Sequence, residues 1–292
     1  MDMAEQIDNE QASRWNGSAG RAWVDAQALL DRMFQPFEDM LVEAVRAKTV
    51  RQVLDVGCGT GGVTLALARQ LGTGGRCVGV DISEPMVAAA QARAEREDAL
   101  AGFICADAQS CIFEPASFDM IVSRFGVMFF DAPVAAFANL RRVAREDAEL
   151  RFIAWRSAEE NPFMTTAERA AASLLPNLPA RRSNMPGQFA FADRHRISSI
   201  LQESGWAEID IQAIDVECML SEKELIGYFT RLGLVGQALQ GLDEPTRGQV
   251  LETVRVAFDS YVNDTDVRYT AACWMVGARA PFASVLKEAT HG

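Results

Sequence analysis

The sequence predicts an α/β protein with a seven-stranded, mostly parallel sheet, helices on both faces and additional helical lid insertions. Apolar runs that read as strands alternate with helical patterns between residues 50 and 155, and such alternation is typical of parallel sheets. Beyond residue 156 the pattern changes to long polar and helical insertions between two further strands. With 292 residues, 49% of them hydrophobic, the chain is long enough to bury a full core.

The elements follow in a regular order along the first half of the chain. The first dozen residues are polar, and we expect them to be mobile. Residues 25–47 predict one amphipathic helix that Pro36 bends, because proline interrupts the helical hydrogen-bond ladder. The next elements are a strand ending at Val56, a helix at 61–71, a strand ending at Asp81, a helix at 84–97, strands at 102–106 and 118–123, a helix at 131–144 and a strand at 149–155.

The second half reads as an insertion followed by strands and helices. Residues 157–192 are rich in proline, asparagine and small residues and are too long for an ordinary connection, so we expect either a functional insertion or a partly disordered segment. A helix is predicted at 192–204, strands at 207–219 and 267–279, and helices between them at 221–260. We therefore divide the chain into an arm and helix at 1–48, a central unit at 49–156, and lid insertions with the rest of the sheet at 157–292.

A glycine-rich turn follows the first predicted strand, within residues 53–62. Gly57, Gly59 and Gly62 have the spacing of a turn in which the backbone approaches a ligand closely before a helix begins. The free N–H groups at a helix start favour an anion. An ordinary turn and a nicotinamide dinucleotide site use the same glycines, but dinucleotide loops usually lie near the chain start and lack an acid at the position of Asp55.

Three acids, Asp55, Asp81 and Asp107, lie at the ends of three successive strands. The carboxyl ends of parallel strands meet at one edge of an open sheet, which is where such folds bind ligands. A carboxylate at Asp81 can accept hydrogen bonds from both hydroxyls of a ribose. Asp107 can accept from an adenine amino group, although a plain turn aspartate is the alternative.

These residues resemble the motifs of class I S-adenosylmethionine-dependent methyltransferases. Residues 54–61 look like the first motif, 80–83 the second, 106–108 the adenine-contacting turn, and 117–123 the fourth-strand motif. The flanking segments 15–23 and 123–130 resemble a bacterial group near the ubiquinone and menaquinone biosynthesis methyltransferases. Residues 145–148 depart from the family, which usually carries Arg-Pro-Gly-Gly before the fifth strand.

The resemblance implies a Rossmann-like fold that binds S-adenosylmethionine in residues 49–156 and has antiparallel sixth and seventh strands. It implies a small-molecule acceptor, quinone-like, phenolic or another natural product, methylated at carbon or oxygen. Arg124 and His195 are weak catalytic candidates, each with a structural alternative, and positioning alone supplies much of the acceleration in such transfers. The expected cofactor-binding residues are Trp15, Trp23, Asp55, Gly57, Cys58, Gly59, Thr60, Gly61, Asp81, Ile82, Met86, Asp107, Ala108, Ser123, Arg124 and Phe125.

The amino-terminal arm is unusually aromatic and too glycine-rich between Trp15 and Trp23 for a good helix. We expect it to fold across the cleft, so that one tryptophan covers the cofactor while Asn16 or Arg21 meets a polar group of the ligand. Aromatic faces attract cations such as a sulfonium. The same tryptophans, and the second cluster of Phe125, Met128, Phe129 and Phe130, could equally be core.

Composition excludes several other classes of protein. A net charge of −12 argues against a nucleic-acid partner, because such proteins usually show a basic face. Six cysteines without a C-x-x-C pair suggest neither a metal site nor a disulfide scaffold. No leader or integral membrane segment is evident, so we expect a cytoplasmic monomer or homodimer.

Two alternatives to a methyltransferase stay open. One is a cofactor-binding sensor or scaffold without activity, and the other, less favoured, is a nicotinamide oxidoreductase.

Overall fold

The computed structural model describes residues 3–179 and 185–282, and its centre is one continuous sheet. The strand order is β3-β2-β1-β4-β5-β8-β6, with the short β7 paired to β8. Strands β1 to β5 run parallel to one another, whereas β8 is antiparallel to both β5 and β6. The strands are β1 Gln52–Val56, β2 Arg76–Asp81, β3 Ala101–Cys105, β4 Phe118–Arg124, β5 Ala144–Trp155, β6 Ala207–Ser221, β7 Val262–Asn263 and β8 Asp266–Arg279.

Helices cover both faces of this sheet, as the alternating pattern predicts, and the α/β fold class is confirmed. The predicted lid helices are also present, in two groups: α8 lies between β5 and β6, and α10 to α12 lie between β6 and β7. The helices are α1 Met3–Asn16, α2 Ser18–Asp25, α3 Gln27–Met33, α4 Gln35–Arg46, α5 Gly62–Leu71, α6 Glu84–Arg96, α7 Pro133–Val143, α8 Pro162–Ala171, α9 Arg194–Glu203, α10 Glu222–Arg231, α11 Gly233–Ala238 and α12 Glu244–Ala257.

The order of the strands creates the place where a ligand can bind. Strand β1 is central, its Val53 and Leu54 are fully buried, and the chain leaves it toward β2 on one side while β4 pairs on the other. A reversal of this kind leaves a crevice outside the carboxyl ends of the strands. The glycine turn after β1 and the turn after β4 both open onto that crevice.

The amino-terminal arm differs from expectation. The structure gives residues 3–16 as α1 and 18–25 as α2, so the predicted irregular conformation between Trp15 and Trp23 is wrong. Gly17 separates the two helices, and Gly20 lies where α2 approaches the carbonyl of Trp15 too closely for any Cβ. The glycines therefore permit tight helix packing rather than preventing helix formation.

Two further boundaries depart from the prediction. The segment 25–47 is two helices, because α3 ends at Met33 and α4 begins at Gln35 with Pro36 in its first turn. Strand β5 begins at Ala144, earlier than expected, and its pairing with β4 shifts between Phe118 and Met120. Within it Asp147 has a φ of 61°, in the left-handed region of backbone conformation.

The helices that the structure describes include none that is both long enough and apolar enough to cross a membrane. Part of the predicted insertion, residues 180–184, lies outside the described residues, as do the chain ends at 1–2 and 283–292. The three-part division at residues 48 and 156 stays a prediction. The last part nevertheless contributes β6, β7 and β8 to the common sheet.

Candidate functional site

A cavity of about 560 Å³ lies at the carboxyl ends of β1, β2 and β4, and it has two chemically different halves. One half is formed by the sheet turns and the amino-terminal arm, and the other mainly by α3, the end of β5 and the lid insertions. The first half is lined by Gln11, Arg14, Trp15, Trp23, Asp55–Thr60, Val63, Val80–Ile82, Met86, Ala106–Gln109, Arg124, Gly126, Phe129 and Phe130.

The glycine turn is fastened by backbone hydrogen bonds and leaves one face open. The N–H groups of Gly57 and Cys58 both donate to the carbonyl of Val80, at 2.8 and 3.1 Å. Gly57 has a φ of 69°, and a Cβ there would come within 2.6 Å of the Gly126 Cα. Gly59 has a φ of 54°, but a Cβ there would meet only the Met86 sulfur at 3.8 Å. Gly57 is thus required by packing, whereas Gly59 faces open space in the cavity.

Asp81 organises the turn from the end of β2. Its Oδ2 accepts from the Gly59 N–H at 2.8 Å and its Oδ1 from the Ser83 N–H at 2.9 Å. Burial raises the pKa of this carboxyl, and the two backbone donors oppose that rise. A carboxylate oxygen has two lone pairs, so each oxygen can accept one more hydrogen bond from a ligand in the cavity.

Asp55 is the second buried acid, one strand away. Its Oδ2 accepts from the Thr64 hydroxyl at 2.6 Å, which ties the end of β1 to α5. Burial raises its pKa to about 6, although the Thr64 hydrogen bond and the positive charge of Arg124 both lower it. At neutral pH the group is therefore mostly ionised, and its charge faces the cavity.

The turn after β3 is held in shape by two amide side chains. The Asp107 Oδ1 accepts from the Gln109 N–H at 2.9 Å, and the Gln109 side-chain amide reaches the same carboxylate. The Asn139 amide on α7 donates to the carbonyls of Ala108 and Cys111, each at 3.0 Å. The turn thus presents the Ala108 backbone and the Asp107 carboxylate to the cavity in a fixed arrangement.

The amino-terminal arm closes this half from above. Trp15 meets Phe129 edge to face, with ring centroids 5.1 Å apart, and Trp23 at 5.9 Å. The Ser83 hydroxyl donates to the Trp15 carbonyl at 2.7 Å. The Asn16 side chain donates to the Ile82 carbonyl at 3.1 Å and accepts from the Glu84 N–H at 2.8 Å. The arm is therefore fastened to the turn after β2.

Neither Asn16 nor Arg21 lines the cavity. The expectation that one of them meets a polar group of the ligand is therefore wrong. The Asn16 side chain is hydrogen-bonded to the backbone after β2, and the Arg21 guanidinium donates to the Asn16 carbonyl. Gln11 and Arg14 line the cavity instead. Arg14 lies over both the Trp15 and the Phe129 rings, with its guanidinium carbon 5.5 and 5.9 Å from their centroids.

Arg124 lies between the two halves of the cavity, at the end of β4. Its side chain is 14% exposed, and its guanidinium carbon is 5.8 Å from the centroid of the Phe34 ring. The acid closest to it is Glu38, whose Oε2 is 3.9 Å from Nη1, too far for a hydrogen bond. Burial lowers the pKa of Arg124.

The second half of the cavity is apolar and aromatic. Phe125 stacks on Trp155, with centroids 4.7 Å apart, and both rings contact Phe34 edge to face. The two lid insertions meet here, because Phe163 of α8 lies 5.6 Å from Tyr228 of α10 and 5.1 Å from Phe258. This half is lined by Leu30, Asp31, Met33, Phe34, Met128, Trp155, Phe163, Met164, Ala167, Glu168, Pro179, Met185–Ala190, Tyr228, Phe229, Leu232–Val235 and Phe258.

Most of the predicted binding residues line this one cavity, and three predicted site residues do not. The Ser123 hydroxyl donates to the Val56 carbonyl at 2.7 Å and accepts from the N–H groups after β4, so it fixes the turn. Gly61 is not among the lining residues, and a Cβ there would come within 3.0 Å of Ala90 and Phe103. His195 is exposed at the start of α9, where its backbone N–H donates to the Asp193 carboxylate. It does not line the cavity.

Sequence reasoning missed Leu30 and Met33 of α3, Phe34 directly after it, and the individual lid residues. Their apolar pattern signals a buried helix face, and nothing in the pattern distinguishes a cavity wall from core. Trp155, which directly follows the apolar run of β5 at the ligand-binding edge of the sheet, is the one signal that could have been used.

Comparison with known proteins agrees with this geometry. A methyltransferase domain family matches residues 53–147. Nocamycin O-methyltransferase of Saccharothrix syringae is 34% identical over 118 residues, which are 40% of this chain and 42% of that protein. Demethylmenaquinone methyltransferase of Renibacterium salmoninarum is 26% identical over 184 residues, 60% of this chain and 75% of that one.

The YcgJ protein from Bacillus subtilis has a similar fold, with a TM-score of 0.55 at 16% identity, covering 84% of this chain and 98% of that chain. Residues 53–147 therefore match a methyltransferase domain family, and the chain spans 42% of the length of the nocamycin relative. The predicted resemblance to class I S-adenosylmethionine-dependent methyltransferases near the quinone-biosynthesis group is confirmed.

Proposed function

We propose that this chain is an S-adenosylmethionine-dependent methyltransferase that acts on a small, largely apolar acceptor. The observation that carries the proposal is the single cavity in which the fastened glycine turn and Asp81 open directly into an aromatic chamber. A cavity with a polar half and an apolar half suits two ligands that must meet.

The residues of the polar half fit the cofactor. A Cβ at Gly59 would meet only one atom, the Met86 sulfur at 3.8 Å, so the backbone there leaves room for a ligand. In this proposal Asp81 accepts from both ribose hydroxyls, and Asp107 with the Ala108 N–H meets the adenine. The first N–H groups of α5 favour the cofactor carboxylate. Trp15 and Trp23 cover the cofactor from the arm.

When bound, the cofactor supplies a methyl group on a positively charged sulfur, ready for in-line displacement. The chain's own contribution is to position the acceptor and to exclude water, which are effects of proximity and preorganisation. Phe125 and Trp155, whose rings stack on each other, both line the cavity and give a planar acceptor an aromatic surface to contact. We assign no general base, since His195 lies away from the cavity.

The acceptor class follows from the lining and from the relatives. Aromatic and aliphatic side chains dominate the second half, and this favours a neutral ring system over a strongly charged metabolite. The relatives are named for methylation of nocamycin and of demethylmenaquinone, and these names support a quinone-like, phenolic or natural-product acceptor methylated at oxygen or carbon. A cytoplasmic monomer or homodimer without a nucleic-acid partner stays a prediction.

The test is methyl transfer by the purified chain. Incubation with S-adenosylmethionine carrying a deuterated methyl group and a panel of phenols, naphthols and quinols should yield a product heavier by the labelled methyl, together with S-adenosylhomocysteine. Binding of S-adenosylhomocysteine without turnover on any panel member would favour the non-catalytic cofactor-binding alternative. Binding of NADH instead would favour the oxidoreductase.

A further inference from the structure

Arg93 of α6 does not line the cavity, yet two groups that it contacts both do. Its Nη1 donates to the Thr60 carbonyl at 2.8 Å, and its Nη2 lies 2.9 Å from the Asp31 Oδ2. Thr60 belongs to the glycine turn of the first half, whereas Asp31 belongs to α3 in the second half. Because a guanidinium presents several N–H donors in one rigid plane, a single side chain can hold both partners at a fixed separation. Arg93 therefore joins the two halves from outside the cavity.

This bridge is shielded from solvent and supported at its α3 end. The Arg93 side chain is only 12% exposed, and that of Asp31 is 21% exposed. The Asp31 Oδ2 also accepts from the side-chain amide of Gln27 at 2.6 Å. Partly buried ion pairs are screened less than surface pairs, and removing one partner leaves the other charge uncompensated. Arg93 should therefore hold α3 more firmly than a surface ion pair would.

The helix α3 also packs closely against the start of α5. That helix begins at Gly62, where a Cβ would lie 3.2 Å from the Asp31 Oδ1. A displacement of Thr60 and of the residues after it would thus reach Asp31 by close packing as well as through Arg93. Leu30 and Met33 of the same helix line the second half of the cavity. The position of α3 therefore sets the wall against which a ligand in that half would pack.

The rest of the glycine turn is fastened by groups other than Arg93. The N–H groups of Gly57 and Cys58 donate to the Val80 carbonyl, and that of Gly59 donates to the Asp81 carboxylate. Loss of the Arg93 side chain should therefore leave the ligand-facing part of the turn in place while it releases α3. The two consequences can be measured separately.

We propose that Arg93 is a positioning residue that couples the glycine turn to α3, so that a ligand bound on the turn fixes the α3 wall of the second half. This role rests on the proposed function, in which the cofactor occupies the first half and the acceptor the second. The rate of transfer between two bound ligands depends steeply on their separation and orientation. A side chain that fixes the distance between the two binding surfaces thus contributes to the rate without touching either ligand.

Hydrogen exchange on the full chain tests the coupling, with S-adenosylhomocysteine as the probe. In the wild type the ligand should slow exchange at least about fivefold in peptides covering residues 57–62 and 27–33. In Arg93→Met it should still protect 57–62, while exchange in 27–33 stays within about twofold of the ligand-free rate. Arg69→Met is the matched control and should behave as the wild type. Arg69 is an exposed arginine of α5 that pairs with Glu97, the acid that Arg93 faces at 3.9 Å.

Turnover gives a second measurement that a purely structural role would not change. With a phenol or naphthol that the wild type methylates, Arg93→Met should lower the single-turnover rate at saturating ligands about tenfold to a hundredfold. The dissociation constant of S-adenosylhomocysteine should stay within about threefold. If the variant folds poorly, the Asp31→Asn/Arg93→Met double variant removes the uncompensated carboxylate and should show the same loss of protection in 27–33.

The outcomes separate this role from the proposed function. Protection of 27–33 that persists in Arg93→Met, or that is absent from a wild-type chain with bound S-adenosylhomocysteine, would overturn the coupling alone. An unchanged single-turnover rate would also overturn it. Failure of the wild-type chain to bind S-adenosylhomocysteine would contradict the proposed function, and the coupling with it.

Discussion

The two halves of the cavity are built in different ways. The first half, which we propose holds the cofactor, consists of short turns whose shape is set by hydrogen bonds to the backbone, as at Asp81 with Gly59 and Ser83. The second half, which we propose holds the acceptor, is lined by rings from distant segments, such as Phe34, Trp155 and Tyr228, and these rings pack against other aromatic side chains. Hydrogen bonds specify one geometry, whereas apolar packing tolerates substitution. A single substitution in the first half should therefore lower cofactor affinity strongly. A substitution in the second half should instead change which acceptor the protein prefers.

The largest expected effect is a difference in stability loss between substitutions at two glycines of the same turn, Gly57 and Gly59. Gly57→Ala should cost about 2–5 kcal/mol of unfolding free energy, because it combines left-handed strain with a backbone clash at Gly126. Gly59→Ala should cost only about 1–2 kcal/mol of strain while weakening S-adenosylhomocysteine at least about tenfold. Urea unfolding and calorimetry on both variants measure this difference. Equal losses of stability would show that the turn is not divided in this way.

The next effect concerns the acid at the end of β2. Asp81→Ala should weaken S-adenosylhomocysteine by about 2–3 kcal/mol, roughly thirtyfold to a hundredfold, because it removes the ribose acceptor and frees the Gly59 N–H. Asp119→Ala is the matched control. Asp119 also accepts two backbone N–H groups, from Arg51 and Gln52, but it lies outside the cavity. A dissociation constant that Asp81→Ala leaves unchanged would remove the ribose assignment.

The amino-terminal arm is expected to contribute less. Deleting residues 1–24 removes both Trp15 and Trp23, and it should lower the affinity for S-adenosylhomocysteine about tenfold while the sheet stays folded. Binding to the intact chain should change tryptophan fluorescence. If the deletion lowers only the melting temperature and leaves the dissociation constant alone, the tryptophans merely attach the arm to the sheet turns.

The smallest effect on cofactor binding is expected in the lid. Leu234→Trp places a large ring in the acceptor half, so kcat/KM for an acceptor should fall about tenfold, while S-adenosylhomocysteine binds within about twofold of the wild type. Val256→Trp, at a 60% exposed position of α12, is the control and should change neither quantity. A Leu234→Trp variant that lost cofactor affinity would show that the two halves are not separate.

The difference between the hydrogen-bonded turns and the aromatic half of the cavity also explains which features the sequence could predict and which it could not. The turn at 53–62, Asp81 and the alternation of strands and helices are recoverable because each depends on neighbours a few residues away or on a periodic pattern. The arm was mispredicted because Gly17 and Gly20 were read as helix breakers, whereas Gly20 allows α2 to approach the Trp15 carbonyl. The pairing of Phe163 with Tyr228 joins segments more than sixty residues apart, and no local signal encodes it.

Hydrogen exchange with and without S-adenosylhomocysteine tests the two-half account most directly, because it reports on every segment in one experiment. Added alone, the ligand should slow exchange in peptides covering residues 10–24, 57–62 and 106–109, while peptides covering 163–168 and 228–235 change little until an acceptor is also bound. Protection confined to the lid peptides, with none in the arm and the glycine turn, would contradict the account.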